Sequence, residues 1–132
     1  MKIAFDHIGI ITQTPQPGEA WVADSQVWVT NPRMHPNRIE YVRPNVMPIV
    51  EPENVPLWTL WNWPHVAYRV ENLREAIAGA TIVLGPFFPA AFVEVAFVYK
   101  NGVVIEYMQY RELDHWFGQP NLPGFAHVPL MD

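Results

Sequence analysis

The chain contains no cysteine, which removes disulfides, thiolate nucleophiles and sulfur-ligated zinc or iron–sulfur centres from consideration. Any metal held here must be bound by imidazole, carboxylate or water. Basic residues are scarce too: eight Lys and Arg against thirteen Asp and Glu give a net charge of −5 and a pI near 5.4. Those eight are scattered, whereas a nucleic-acid surface needs clustered cations to neutralise phosphates. No run of about 18 apolar residues occurs, as a spanning helix would require. Met1 to Phe5 runs directly into a strand pattern that Asp6 interrupts, which is not the pattern of a signal peptide. The expectation is a soluble, cytoplasmic protein with neither a nucleic-acid nor a membrane partner. A Gly-rich phosphate loop, a Ser-centred elbow and a nucleotide fingerprint are missing as well.

Half of the 132 residues are apolar, enough for one domain or for two small modules sharing a core. Half of this length alone would bury too little apolar surface. The most informative feature is a repeat: Ile-Glu-Tyr occurs at 39–41 and again at 105–107. Upstream of each copy lies a matched strand-like segment carrying a histidine, Asp6-His7-Ile8-Gly9-Ile10 and Pro64-His65-Val66-Ala67-Tyr68. The spacings from His to Glu, 33 and 41 residues, differ as they would if the first unit were shorter.

Taken in order, residues 3–12 read as a strand on which His7 shares a face with Phe5, Gly9 and Ile11 while Asp6 points the other way. Gly9 would leave room beside His7. Residues 14–18 are a turn, 19–24 allow at most a helical turn or two, and 26–30 alternate as a strand. A loop leads to the strand 38–43, which places Glu40 with Arg38 and Val42. Five prolines between 44 and 64, with Trp58, Trp61 and Trp63, suggest an extended strap packed across one module. The second half reads strand 65–70, helix 71–79 with Leu73 and Ile77 buried, strand 81–84 broken at Gly85-Pro86, strand 92–99, an Asn101-Gly102 hairpin, and strand 103–110. That is β-α-β-β-β, and the first half reads as the same module without its helix and one strand. Module one thus covers about 1–44, the Pro/Trp-rich connection 45–63 and module two about 64–110. Residues 111–132 are expected to form an irregular tail on the surface or on a partner subunit.

Taken singly, each His is more often a satisfied core or surface residue and each Glu a solvated strand residue. Their recurrence in matching settings changes the balance. Glu106 shares its face with Val104, Met108 and Tyr110, and a carboxylate buried there needs a compensating partner. A divalent cation held with two imidazoles and a second carboxylate meets that need.

The two His segments, Val70-Glu71-Asn72-Leu73 and the paired Ile-Glu-Tyr strands resemble the vicinal oxygen chelate superfamily, which includes glyoxalase I, bleomycin resistance proteins, methylmalonyl-CoA epimerase and extradiol dioxygenases. The resemblance spans residues 3–110. It implies an α+β fold of paired βαβββ modules forming a cup-shaped sheet, the first module shortened, and often a homodimer. By position His7, Glu40, His65 and Glu106 match the glyoxalase I ligands, with Zn, Ni, Co, Mn or Fe as the ion. The implied reaction is proton transfer next to the carbonyl of a small substrate, by a lyase or isomerase. In it the metal acts as a Lewis acid and one carboxylate, Glu106 or alternatively Glu40, as the base. Extradiol dioxygenases use two His and one Glu, and bleomycin-resistance-like members bind an aromatic or apolar ligand without catalysis. Arg69, on the His65 face, is a candidate for pairing with a carboxylate of the substrate or of the ligand surroundings. Trp61 is a candidate for stacking on a planar ligand. His35, His115 and His127 lack matched partners and read as exposed or locally packed.

Overall fold

The computed structural model describes residues 1–53, 55–119 and 129–131, and its centre is a pair of antiparallel strands that open the two halves of the chain. β1 (Ile3–Ile11) and β5 (His65–Val70) are rich in β-branched and aromatic residues, and they pair with Ile3 opposite Val70 and Gly9 opposite His65. β4 (Ile39–Pro44) lies parallel to β1 on its other side, and β8 (Val103–Tyr110) lies parallel to β5. Outward from β4 come β3 (Val27–Val29) and β2 (Ala20–Val22), and outward from β8 come β7 (Val93–Lys100) and β6 (Thr81–Ala90). One eight-stranded sheet results, of order β2-β3-β4-β1-β5-β8-β7-β6. Each half repeats the other's connectivity about the β1–β5 seam, which is the curled, mostly-sheet α+β fold expected.

Three local readings need correction. Residues 19–24, read as a helical turn, contain β2, so the first module keeps four strands and lacks only the helix. A three-residue strand is too short to show a period, and only its pairing with Val27–Val29 defines it. The strap is not wholly extended: α1 (Val55–Asn62) interrupts it. Pro56 falls in the first turn of α1, where a missing N–H costs nothing, and no proline follows until Pro64. Lastly, β6 runs on through Gly85-Pro86 to Ala90, absorbing the break as shifts in its register with β7.

The second module's helix, α2 (Leu73–Ala76), is shorter than expected, capped by the Asn72 side chain, which accepts from the Glu75 N–H. Fully buried Leu73 packs with Val70 and Ala96 and seals the convex face there. On the concave face, Val22, Val27, Val29 and Val42 form one apolar cluster, and Ala67, Val93, Val95 and Met108 another. The tail enters the second cluster: Trp116 is 2% exposed, and its Nε1–H donates to the Thr30 carbonyl at 3.2 Å. Farther along, Met131 exchanges backbone hydrogen bonds with Ile3. Among the described residues, no helix is long and apolar enough to cross a membrane.

Candidate metal centre

Strand register brings the repeated residues together. His7 lies opposite Ala67, which lies opposite Glu106, giving one row across β1, β5 and β8. The adjacent row runs from Glu40 through Gly9 to His65 across β4, β1 and β5. Side chains in neighbouring rows of one face converge, and all four are buried, from His7 at 0% exposed to Glu40 and Glu106 at 6%. Glu40 therefore points inward, even though its module has no helix.

A β-bulge adds a fifth member. The β1–β5 ladder shifts between Phe5 and His7, so Asp6 and His7 both face the interior, against the strict alternation expected from the sequence. Asp6 Oδ2 sits 2.6 Å from His7 Nδ1, and the Tyr110 hydroxyl donates weakly to Asp6 at 3.4 Å. A carboxylate on Nδ1 fixes the ring and directs Nε2 inward, the arrangement common behind metal-ligating imidazoles. Sequence reasoning overlooked Asp6; the Asp-His dipeptide was the available signal.

His7 Nε2 lies 3.3 Å from Oε1 of Glu106 and 3.3 Å from Oε1 of Glu40, and His65 Nε2 lies 3.2 Å from Oε1 of Glu106. These are ion-pair distances without hydrogen-bond geometry: His7 Nε2 and both His65 nitrogens are buried without a hydrogen-bond partner among the described residues. Orphaned imidazole nitrogens aimed at a carboxylate fit a divalent cation, whose ligand atoms must converge without bonding one another. His7, His65 and Glu106 each offer an atom within 4.8 Å of the others, and Glu40 stands outside that set, against His7.

Gly9 sets this geometry, though beside His65 and not beside His7 as expected. A Cβ there would fall 2.0 Å from His65 Cε1. The His65 ring also meets Phe97 edge-on at 5.3 Å, and His7 meets Trp116 at 6.0 Å. Trp116 was missed in the sequence because the tail has no period to mark a core position.

The remaining candidates divide. Trp61 lines a predominantly apolar cavity of about 630 Å³, open mouth included, together with Glu40, His65 and Glu106. Arg69 is not among the groups that line it; it is buried in the sheet, where the charges of Asp6 and Tyr110 act on it, so of the two partners considered for it the carboxylate of the ligand surroundings is the one at hand. His35 accepts from the Asn37 N–H, and His115 pairs with Glu112 and Asp114 near the surface. His127 lies outside the described residues.

Burial opposes charging His7, but the Glu40 charge and the contacts with Asp6, Glu106 and Glu40 outweigh it and raise its pKa well above 6.5. Burial likewise pushes Glu106 up, and the contacts with His65 and His7 overcome this and bring it down to about 2. Two opposite trends follow. In metal-free protein the raised His7 pKa contributes stability that is full below 6.5 and is lost as pH rises through the folded value. The depressed Glu106 pKa contributes stability that is present above 4.5 and lost as pH falls towards about 2. A divalent ion must displace the His7 proton, so its affinity should rise about tenfold per pH unit until the His7 pKa is passed. Competition titration with a chelator across neutral pH checks this; a flat profile would mean that His7 is not a ligand.

No family model matches the chain, and no curated protein matches it. Among solved structures, the crystal structure of a hypothetical protein from Bacillus halodurans is similar, with a TM-score of 0.60 at 18% sequence identity, covering 86% of this chain and 99% of that one. At that identity the likeness concerns the fold alone.

Proposed function

We propose that this chain is a metal-dependent lyase or isomerase of glyoxalase type, moving a proton next to the carbonyl of a small substrate. The carrying observation is the buried His7, His65 and Glu106 set, with imidazole nitrogens that lack hydrogen-bond partners among the described residues and with His65 and Glu106 lining an apolar cavity. His7, His65 and Glu106 would hold the ion, with Asp6 orienting His7 through Nδ1. A bound divalent ion would supply Lewis acidity at the carbonyl oxygen, offsetting the charge that would develop as the neighbouring proton leaves. Glu40 lines the cavity and approaches one imidazole, His7 at 3.3 Å, where Glu106 approaches both, so we assign Glu40 as the base. Glu106, between two imidazoles and with its pKa near 2, is better suited to stay a ligand.

Elemental analysis after reconstitution with Zn, Ni, Co, Mn or Fe should find about one equivalent per chain. Less than about a tenth of an equivalent of every metal would overturn the proposal and leave a non-catalytic binding protein, in which Trp61→Ala should abolish ligand affinity.

A second reading has its own observation. Without Glu40 the convergent set is two His and one carboxylate, the donor pattern of non-haem Fe(II) oxygenases. Ring cleavage of a catechol by the Fe(II)-loaded protein in air would favour that reading over the first.

A further inference from the structure

The proposed reaction leaves open what kind of molecule carries the carbonyl, and the distribution of charge in the chain addresses it. A buried anionic group on a ligand needs a cation opposite it. The sequence holds eight Lys and Arg, and all eight fall among the described residues, since 54, 120–128 and 132 contain none. None lines the cavity. Arg43 forms a two-point contact with Glu19, and Arg74 is bonded to Glu94. Arg38 donates to the Asp6 carbonyl, while Arg33 donates to the His115 carbonyl and lies over the Tyr110 and Trp116 rings. Arg111 sits 4.6 Å over the Phe88 ring, and Arg69 is buried with its charge acting on Asp6. Lys2 and Lys100 are exposed at the outer ends of β1 and β7.

The cavity lining is instead mostly apolar. Among the described residues its charged or titratable members are the buried Glu40, His65 and Glu106, and Val27, Val42, Leu60, Trp61, Phe87 and Phe97 are among the groups that form the walls. Ser25 adds one polar side chain to the described lining.

We infer that the cavity takes a neutral, largely apolar aryl or alkyl carbonyl compound, held by its oxygen at the His/Glu end, and rejects substrates whose body carries a phosphate, sulfonate or carboxylate. This rests on the proposed reaction only for the carbonyl; the selection by charge stands on the lining alone. It disfavours thiol adducts of acidic peptides and phosphate-bearing thioesters as substrates.

The test is isothermal titration of the full chain with para-acetylphenyl methyl sulfone and para-acetylbenzenesulfonate, before and after loading with Zn²⁺ or Ni²⁺. The two share a ketone and a ring and differ in charge at the far end. The neutral sulfone should bind on the order of a hundredfold more tightly in both states. Leu84→Arg, placed at the mouth where Leu84 is 40% exposed, should reduce that preference at least tenfold by supplying the missing cation. Equal affinity, a preference for the sulfonate, or no binding of either compound would overturn the inference. So would a preference that Leu84→Arg leaves unmoved, because the discrimination would then lie elsewhere. If the sulfone is preferred and no carbonyl compound is ever turned over, the selectivity stands and the proposed reaction falls.

Discussion

Glu106→Gln is expected to abolish metal binding and, with it, the turnover proposed above. Glu106 is the one carboxylate within reach of both imidazoles, at 3.2 Å from His65 and 3.3 Å from His7. Gln keeps the volume and removes the charge that makes a carboxylate a ligand, so metal affinity should fall by more than the about 10–100-fold seen for changes behind a ligand. Glu40→Gln should behave differently. Glu40 lies outside the convergent set, so this variant should keep close to the full metal content while turnover drops by about 10²–10⁴-fold, the range of a lost general base. Metal content and rate measured on the same preparations separate the two roles. Equal metal loss in both variants would make Glu40 a fourth ligand and remove it as the base.

Gly9→Ala, one added methyl group, should damage the site as severely as deleting a ligand. The φ of Gly9 is not in the left-handed region, so alanine adopts the same backbone and the whole effect is steric. The new Cβ would stand 2.0 Å from Cε1 and 2.3 Å from Nε2 of His65, distances that real atoms do not occupy. His65 is held from the other side by Phe97, so it must swing out of the cavity or the β1–β5 pairing must open. Overpacking of this kind costs about 1–3 kcal/mol, and the displaced imidazole takes the metal affinity with it. A double mutant distinguishes the causes: Gly9→Ala with His65→Ala should recover most of the lost stability in urea unfolding, with metal binding still absent. A Gly9→Ala protein that binds metal normally would refute the close approach of Gly9 to His65.

The order of elements in the second half of the molecule was legible in the sequence, although α2 is shorter and β6 longer than expected. β5 and β8 were bounded correctly because long strands of alternating or β-branched residues ended at recognisable turns, and Asn101-Gly102 adopts the positive φ values of 51° and 81° that such a hairpin needs. Pairing a histidine strand with an Ile-Glu-Tyr strand also anticipated which side chains meet, since period-two alternation fixes the face once one member is buried. What escaped was set by tertiary contact and not by local pattern. β2 is defined by its partner, α1 carries in its first turn a proline that local propensity reads as a helix breaker, and Trp116 is buried by a tail with no periodicity. Asp6 was misplaced for a different reason. A bulge is invisible to any rule that assumes uniform alternation, and this one puts the Asp6 carboxylate behind His7.

The seam between β1 and β5 has a consequence for how strongly an ion can be held. Of the set that would hold it, the first module offers His7 alone and the second offers His65 with Glu106, and a one- or two-point grip is readily displaced by water. Pairing the seam brings His7 to the other two at a high effective concentration, so the affinity becomes a joint property of the two modules. The ion would then act as a gauge of the seam: whatever loosens the pairing of Gly9 with His65 would register first as a faster metal off-rate, before either module begins to unfold.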